Sequence, residues 1–278
     1  MASNPLASFQ NMRRLIWSAG LVLTAVALLL PIVIPAPVAD TSLRAYNAVE
    51  GVPNNSIVLI ACDNQNGYPP FFTDTPGMIA QFKHMVRKHL RIVVVSFATP
   101  VGIQQMLGYA DSVLKKAGYE YGKDYVNLGY FPGSETAMAA FSRDIHALAR
   151  ADSYGKPLEQ LPLMREVKTA ADFKIGFDYS STVFLQEGFV RQIAIPYKLP
   201  TVLQTTGMGT DVITYYPHTV VGMILGIRGC ADYERLIGEV GTGVARLTAL
   251  HAINCVMVGS CVMGNTLYFM QRKGKGRK

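Results

Sequence analysis

Two long apolar segments lie near the ends of the 278-residue chain. Residues 15–37 contain no charged side chain, and neither do residues 247–270. Each segment is long enough to cross the ~30 Å hydrocarbon layer of a membrane as a helix. The pattern therefore predicts one transmembrane helix at each end. A cleaved signal peptide is the alternative for the first segment, but its apolar core would be shorter, about 7–15 residues.

Short apolar runs alternate with helical patterns between these two segments. Five runs have the length and composition of buried parallel strands, namely 56–62, 91–97, 125–130, 174–178 and 201–204. Apolar residues spaced three and four apart predict helices at 76–90, 101–117, 134–150 and 184–193. The alternation predicts an α/β domain over 56–245, with a Rossmann-like, doubly wound, mainly parallel five-stranded sheet. Residues 38–55 are predicted to be a linker that leads into it.

One apolar stretch, residues 212–227, fits this alternation poorly. It is nearly uncharged, but it is short for a membrane span and is interrupted by Pro217. Gly222, Gly226 and Gly229 would give a narrow face on which another helix could pack. We therefore expect 212–239 to be a glycine-rich segment beside the membrane or another subunit. The alternative is a core helix that closes the sheet.

The net charge of +7 belongs to the ends of the chain. Residues 1–39 and 246–278 contain Lys and Arg but no Asp or Glu, so the middle is nearly neutral. A neutral middle gives no reason to expect a nucleic-acid partner, because such binding neutralises several phosphates. The basic tails, 1–14 and 271–278, favour a two-pass protein of the cytoplasmic (inner) membrane. Both termini would be cytoplasmic and the domain would lie outside.

Polar side chains form a stripe along the second predicted span. Four of them recur near one angle of a helix with 3.6 residues per turn: His251, Asn254, Cys261 and Asn265. Ser260 and Gly264 add a spacing of small residues that lets helices approach closely. We expect this face to pack against other membrane-protein subunits or a second copy of the chain. The alternative partner is the chain's own first helix.

The candidate chemistry lies where the predicted strands end, because ligands of doubly wound sheets bind beyond the carboxyl ends of the strands. Candidate ligand-binding residues there are Asn64, Gly133, Ser134, Ser180 and Thr205. Asp63 and Asp178 each come at the end of a strand and could form an acid/base or cation-binding pair. Together with Ser134 they are the candidate catalytic residues of a hydrolytic alternative. The other interpretation is that these residues only cap helices and turns.

Motifs that would name a reaction are absent from the sequence. There is no G-x-G-x-x-G after the first predicted strand, no P-loop, no G-x-S-x-G and no H-E-x-x-H. We therefore predict no cofactor and no metal site. Cys62 and Cys230 could form a disulfide in a domain outside the membrane, but a small buried thiol is the simpler interpretation of a strand-end cysteine. His84 falls among Lys83, Arg87 and Lys88, which indicates a solvated basic face.

The segments GYFPGSETAMAAFSRDI and GMILGIRGCADYERLIG, followed by GNTLYF in the second span, resemble an uncharacterised family of prokaryotic membrane-anchored proteins with an α/β domain. The resemblance covers roughly residues 125–269. It implies that the domain and the C-terminal span belong together, and it brings no activity, substrate or catalytic residue. We therefore expect a structural or assembly subunit of a membrane complex rather than an enzyme. A membrane-anchored ligand-binding or hydrolytic domain is the alternative.

Overall fold

The computed structural model describes residues 5–30, 36–63, 69–180, 182–206 and 210–275. The chain divides into two compact units. One unit combines the two ends, Met1–Ala36 and Val240–Lys278, and the other is Pro37–Glu239. The second unit is called the α/β domain below.

One parallel sheet forms the centre of the α/β domain. Its described strands are β1 (Ile57–Cys62), β2 (Arg91–Ser96), β3 (Tyr125–Tyr130), β4 (Ile175–Tyr179), β5 (Thr201–Thr205) and β6 (Val220–Leu225). Their order across the sheet is β3-β2-β1-β4-β5-β6, and every neighbouring pair is parallel. The α/β class and the parallel sheet are thus as predicted, with six strands in place of five.

Helices connect the strands and cover both faces of the sheet. The α-helices in the described residues are α1 (Pro5–Leu29), α2 (Asp40–Glu50), α3 (Pro69–Arg87), α4 (Pro100–Lys116), α5 (Ser134–Arg143), α6 (Ile145–Leu148), α7 (Val183–Phe189), α8 (Ile195–Tyr197), α9 (Gly226–Leu236) and α10 (Thr242–Lys275). A π-helical turn, Val190–Ala194, joins α7 to α8. Short 3₁₀ turns lie at Leu158–Gln160, Leu163–Arg165, Ala170–Asp172 and Thr210–Tyr215.

Each face of the sheet has its own apolar core. Side chains of α2, α3, α4 and α9 pack on one face, where Val58, Ile60 and Phe177 are buried. Side chains of α5, α6 and α7 pack on the other face, against Leu59 and Val93. Because side chains alternate between faces along a strand, each strand reads as a continuous apolar run when both faces are covered. This explains why the sequence pattern predicted the first five strands well.

The strand order reverses direction between β1 and β4. The chain builds outward from β1 through β2 to β3, then crosses back to form β4 on the other side of β1. In sheets of this kind the crevice beyond the carboxyl ends of the strands at the reversal is where ligands bind. The structure therefore singles out the residues that end β1 and β4.

The sixth strand lies in the apolar stretch that the sequence pattern did not resolve. Thr210–Tyr215 forms a 3₁₀ turn, and only Val220–Leu225 is extended, paired with β5 at the edge of the sheet. The alternative of a core helix over 212–227 was therefore wrong for this part, whereas a position of the segment beside the membrane stays a prediction. A short apolar run has no periodicity that separates a buried strand from a helix segment.

The predicted linker, residues 38–55, contains helix α2. Its buried residues, Ser42, Ala45 and Val49, share one face and pack on the sheet. The close approach depends on Gly222 of β6, because a Cβ added there would lie 2.3 Å from the backbone of Ala45. A helix does pack on Gly222 as expected, but it is a helix of the same domain. The compact unit that contains the sheet spans Pro37–Glu239.

The helix predicted at 134–150 is broken at Asp144. The backbone of Asp144 is extended, and its carboxylate accepts a hydrogen bond from the backbone N–H of Ala147 (2.9 Å), which starts the short helix α6. Gly133 takes the N-cap position of α5, with a φ of 115° that favours glycine. The local hydrogen-bonding group of an Asp side chain competes with helix continuation in this way.

The terminal unit consists of two apolar helices. Gln10–Leu29 within α1 and Thr242–Met270 within α10 are long and apolar enough to span a membrane, and only 11% of either segment's most apolar window is buried. The two helices pack against each other, with Gly20 of α1 beside Val256 of α10. Two apolar helices at the ends of the chain are therefore present as predicted.

Candidate functional site

The two aspartates lie at the reversal point of the sheet. Asp63 directly follows β1, and Asp178 is in β4, where its backbone is in register with Ala61 of β1. Ile57, Leu59 and Ala61 face the side covered by α5 and α7, so the alternation of the strand turns Asp63 to that side too. Asp178 shares the side of its partner Ala61. The two carboxyl groups thus lie on one face of the sheet, as the sequence predicted for a pair.

One oxygen of Asp63 organises the end of the neighbouring strand. Its Oδ1 accepts hydrogen bonds from the backbone N–H groups of Phe97 (2.6 Å) and Ala98 (3.0 Å). The hydroxyl of Ser96 also donates to this atom, at 3.0 Å. The other oxygen, Oδ2, is buried and has no hydrogen-bond partner. Asp63 is therefore held in a fixed orientation that leaves one oxygen available.

Asp178 has no such partner. It is fully buried, and neither of its carboxylate oxygens accepts or donates a hydrogen bond in the described structure. No described ion pair involves Asp178 or Asp63 either. Buried polar groups are almost always hydrogen-bonded, because an unpartnered one costs about 1–3 kcal/mol, and more if it is charged. Asp178 thus requires an explanation other than stability.

Two further unpartnered oxygens belong to the same face of the sheet as the aspartates. Asp178 is in register with Leu203 of β5, so Thr205, two residues farther along β5, is on the same face. Its Oγ1 is buried without a partner. Gln186 of α7 donates from Nε2 to the backbone carbonyl of Ser180 (3.0 Å), and its Oε1 is also buried and unpartnered. We call Asp63, Asp178, Gln186 and Thr205 together the Asp63–Asp178 site.

Burial sets the electrostatics of this site. Burial raises the pKa of Asp63 to about 6, although the hydrogen bonds from Phe97, Ser96 and Ala98 oppose the shift. Burial also raises the pKa of Asp178, and the negative charge of Asp63 raises it further. Two buried carboxylates without a nearby cation resist being ionised together. The site therefore favours either a proton or a positively charged ligand.

The other predicted ligand residues are distributed differently. Ser180 follows β4 and lies on the same face as Asp178, but its hydroxyl accepts from the backbone N–H of Thr182 (3.1 Å). Gly133 and Ser134 lie at the start of α5, and no described hydrogen bond joins Ser134 to either aspartate. The catalytic set of Asp63, Ser134 and Asp178 is therefore not assembled by hydrogen bonds. Asn64 lies outside the described residues.

Gln186 and Ser96 belong to the Asp63–Asp178 site or support it, but the sequence pattern did not single them out as site residues. Ser96 ends β2, and its hydroxyl lies 3.0 Å from both Asp63 Oδ1 and the backbone carbonyl of Thr99, so its single hydrogen is shared between these two acceptors. Gln186 is a fully buried amide on the inner face of α7. A polar residue at an inward position of a helix is a detectable signal, but only once the inward face is known.

The glycines predicted to pack another helix are used inside the domain. Gly222 makes room for α2, and Gly226 begins α9 with a φ of 52°. A Cβ added to Gly229 would lie 2.9 Å from the backbone of Ile224, so this glycine lets α9 pack on β6. Gly222 and Gly226 thus do not share a helix face, because the first belongs to a strand. The spacing alone does not distinguish these cases.

The polar stripe of α10 faces away from α1. Val256 and Ser260, on the side of α10 that contacts α1, are partly buried, whereas Asn254, Cys261 and Asn265 are exposed. At 100° per residue, these three lie on nearly the opposite side of the helix from Val256. His251 is partly buried and Gly264 is exposed. The chain's own first helix is therefore not the partner of this stripe.

His84 is buried, which contradicts the prediction of a solvated basic face. It is 1% exposed and stacks on Tyr46 with ring centroids 4.7 Å apart. Its Nδ1 is 2.8 Å from the hydroxyl of Tyr233, and its Nε2 is 3.0 Å from a carboxylate oxygen of Glu50. These four residues, which we call the His84 cluster, join α2, α3 and α9. Both ring nitrogens of His84 therefore have a hydrogen-bonding partner.

The cysteines and the possible metal ligands in the described residues do not form a second candidate site. Cys62 and Cys230 are buried in the same core as thiols, without a disulfide. Among the described residues, no three His, Cys, Asp or Glu side chains are grouped to hold a metal. A cleft of about 820 Å³ lies between α4 and β3, and Tyr121, Tyr125 and Tyr154 line it. No residue of the Asp63–Asp178 site lines this cleft.

Comparison of the chain with protein-family models, with curated proteins and with solved structures finds no match. The function has to be inferred from the geometry of the chain itself.

Proposed function

We propose that this protein is a membrane-anchored ligand-binding domain whose ligand occupies the Asp63–Asp178 site. The observation that carries the proposal is Asp178, a fully buried carboxyl group with both oxygens unpartnered. Such groups are rare in folded proteins and call for a specific cause, such as a bound ion or a catalytic role. The position at the reversal of the strand order supports the same conclusion.

The fold supports this function as a Rossmann-like domain. The strand order β3-β2-β1-β4-β5-β6 is the order found in dinucleotide-binding folds, with the ligand beyond β1 and β4. Fold alone does not assign a ligand, because one fold serves many functions. The sequence after β1 lacks the glycine fingerprint for a pyrophosphate. We therefore propose the position of the site and not a dinucleotide.

The anchor is the pair α1 and α10, which cross the cytoplasmic (inner) membrane in opposite directions. Arg13 and Arg14 precede the first span, and Arg272, Lys273 and Lys275 follow the second. The excess of basic residues in these short tails supports a cytoplasmic location for both termini and an external location for the domain. Protease treatment of intact cells tests this topology, since residues 37–239 would then be cleaved only from outside.

The Asp178→Asn variant tests the binding function without knowledge of the ligand. Purified full-length protein, in detergent with EDTA at pH 8, should be more stable as this variant than as wild type. The expected gain in the free energy of unfolding is about 1–3 kcal/mol, because the variant removes a buried carboxyl group whose ionised form has no partner. Urea unfolding followed by far-UV circular dichroism measures the difference.

Asp111→Asn is the matched control for this experiment. Asp111 pairs with Lys115 on the exposed side of α4, so its replacement should change stability by less than about 0.5 kcal/mol. If Asp178→Asn lowers stability, Asp178 has a structural role and the proposed site is wrong.

A second candidate function is assembly, and the exposed stripe of α10 favours it. Asn254 and Asn265 are exposed on a helix long and apolar enough to cross a membrane, where unpaired amides are unfavourable. Asparagine both donates and accepts, so it pairs well with the same residue of a second copy. We propose a homo-oligomer through this face, which is compatible with ligand binding by the domain.

The oligomer is tested by the molar mass of the detergent-solubilised protein, measured by light scattering. Wild type should be larger than a monomer, and the double variant Asn254→Leu, Asn265→Leu should be monomeric. A monomeric wild type would exclude assembly through α10 and would leave the ligand site unaffected.

A further inference from the structure

We infer that the Asp63–Asp178 site binds a hard divalent cation, Mg²⁺ or Ca²⁺, between its two carboxylates. This inference rests on the proposed ligand-binding function and gives it a chemical class. Four features support it: the type of the donor atoms, their shared face, the charge of the site and the fixed orientation of its ligands.

The available donor atoms are all oxygens. They are Oδ2 of Asp63, both oxygens of Asp178, Oε1 of Gln186 and Oγ1 of Thr205, and each is buried and unpartnered. Carboxylate, amide and hydroxyl oxygens suit Mg²⁺ and Ca²⁺, whereas zinc and copper prefer nitrogen or sulfur. The nearest cysteine in sequence, Cys62, packs in the core on the opposite face of the sheet. The donor set thus selects for hard cations.

These oxygens lie on one face of the sheet, at three neighbouring strands and one helix. Asp63, Asp178 and Thr205 come from β1, β4 and β5, which are adjacent, and alternation turns all three side chains to one face. Helix α7 covers that face and brings Gln186 over it. Five oxygens from four residues leave room for water to complete the six or more ligands that these cations take.

The charge of the site matches a divalent ion. Two carboxylates supply two negative charges, and no described Lys, Arg or His forms an ion pair with either of them. A monovalent amine would leave one buried charge uncompensated, whereas a divalent cation compensates both. Burial of an ion pair is favourable only when charge and hydrogen-bonding capacity are both satisfied.

The ligands are also fixed before any ion binds. Three hydrogen bonds to Oδ1 orient the carboxylate of Asp63, so that Oδ2 has a defined position. The hydrogen bond from Nε2 of Gln186 to the backbone carbonyl of Ser180 likewise fixes the amide, so that Oε1 points away from Ser180. Such outer contacts orient metal ligands and account for a large part of metal affinity.

The test uses the full-length protein in detergent, stripped with EDTA, with MgCl₂ or CaCl₂ as the probe. One of the two salts should raise the melting temperature of wild type by about 5–10 °C at 100 times its Kd. The shift should be absent in Asp178→Asn and should require at least about tenfold more cation in Asp63→Asn. Asp63→Asn keeps an oxygen for the N–H groups of Phe97 and Ala98, so it should fold. Calorimetric titration of the same samples gives the stoichiometry.

The control variant Asp111→Asn should retain the full shift, because Asp111 lies on the exposed side of α4, where it pairs with Lys115. A shift that persists in Asp178→Asn would place the ion elsewhere and overturn the inference. No shift in wild type with either salt would overturn it as well. In that case an increase in stability of Asp178→Asn in EDTA keeps the ligand-binding function, whereas a decrease rejects that function too.

Discussion

Two buried polar clusters lie on opposite faces of one sheet, and they differ in how well their atoms are partnered. In the His84 cluster, both ring nitrogens of His84 contact an oxygen, one from Tyr233 and one from Glu50. In the Asp63–Asp178 site, five oxygens have no partner. Polar groups that satisfy each other stabilise a fold, whereas an unsatisfied buried group costs free energy and calls for a specific explanation. The difference supports the proposed ligand site on one face and a structural role for the cluster on the other.

The largest expected effect comes from removing the imidazole of the partnered cluster. His84→Ala should lower the free energy of unfolding by about 2–4 kcal/mol, because it leaves a cavity and deprives Tyr233 and Glu50 of a partner. Urea unfolding followed by circular dichroism measures the loss. The matched control is His218→Ala, since His218 is exposed and should have little effect. If His84→Ala and Asp178→Asn shift stability in the same direction, the contrast between the clusters fails.

A smaller effect of opposite sign is expected from Thr205→Val. The variant replaces a buried, unpartnered hydroxyl by a methyl group of similar size, so it should stabilise the cation-free protein by about 0.5–1 kcal/mol. The same unfolding experiment in EDTA measures it. Thr201→Val is a useful comparison, because the hydroxyl of Thr201 donates to the carbonyl of Leu199 (3.0 Å) and its loss should destabilise. Equal effects of the two variants would show that partnering does not matter here.

The smallest expected effect is the pH dependence of stability that His84 contributes, since the folded and unfolded states differ there by less than one bound proton. Burial lowers the pKa of His84 below its ordinary value of about 6.5, although Glu50 opposes the shift, and Arg87 and Lys88 add to it. The unfolded chain therefore takes up a proton first as pH falls. The contribution of His84 to stability is complete above pH 6.5 and declines as pH falls through the lowered pKa of the folded state.

The measurement compares the stability of wild type and His84→Gln between pH 7.5 and 5.5. Wild type should lose more stability over this range than the variant, while His218→Gln should behave as wild type. The raised pKa of Asp63 gives a slope of opposite sign, but it is present in both proteins and cancels in the difference. Parallel curves for wild type and His84→Gln would contradict the assignment.

The sequence predicted the first five strands and the position of Asp63 and Asp178. Those strands are buried on both faces and read as continuous apolar runs, and the topology of parallel sheets then determines which residues meet at the reversal. That the aspartates bind a ligand stays a prediction. The unpartnered state of Asp178 depends on what surrounds it in three dimensions, which no sequence pattern contains.

The errors share one physical cause, which is that long-range contacts decided the local structure. The sequence pattern predicts a linker over 38–55, yet the chain there forms α2, whose small buried face fits Gly222 of β6. The basic neighbours of His84 in sequence predict a charged surface. The burial of His84 depends on Tyr233, which comes from a distant helix. Patterns of neighbouring residues carry no information about such contacts.

The contact between Ala45 and Gly222 also has a consequence for how the chain folds. It joins the first helix of the α/β domain to its last strand, so the chain between them must be gathered before the contact forms. Contacts between residues far apart in sequence form late and slow the folding of a domain. During synthesis, α2 therefore lacks its packing surface on β6 until that strand, near the end of the domain, has left the ribosome.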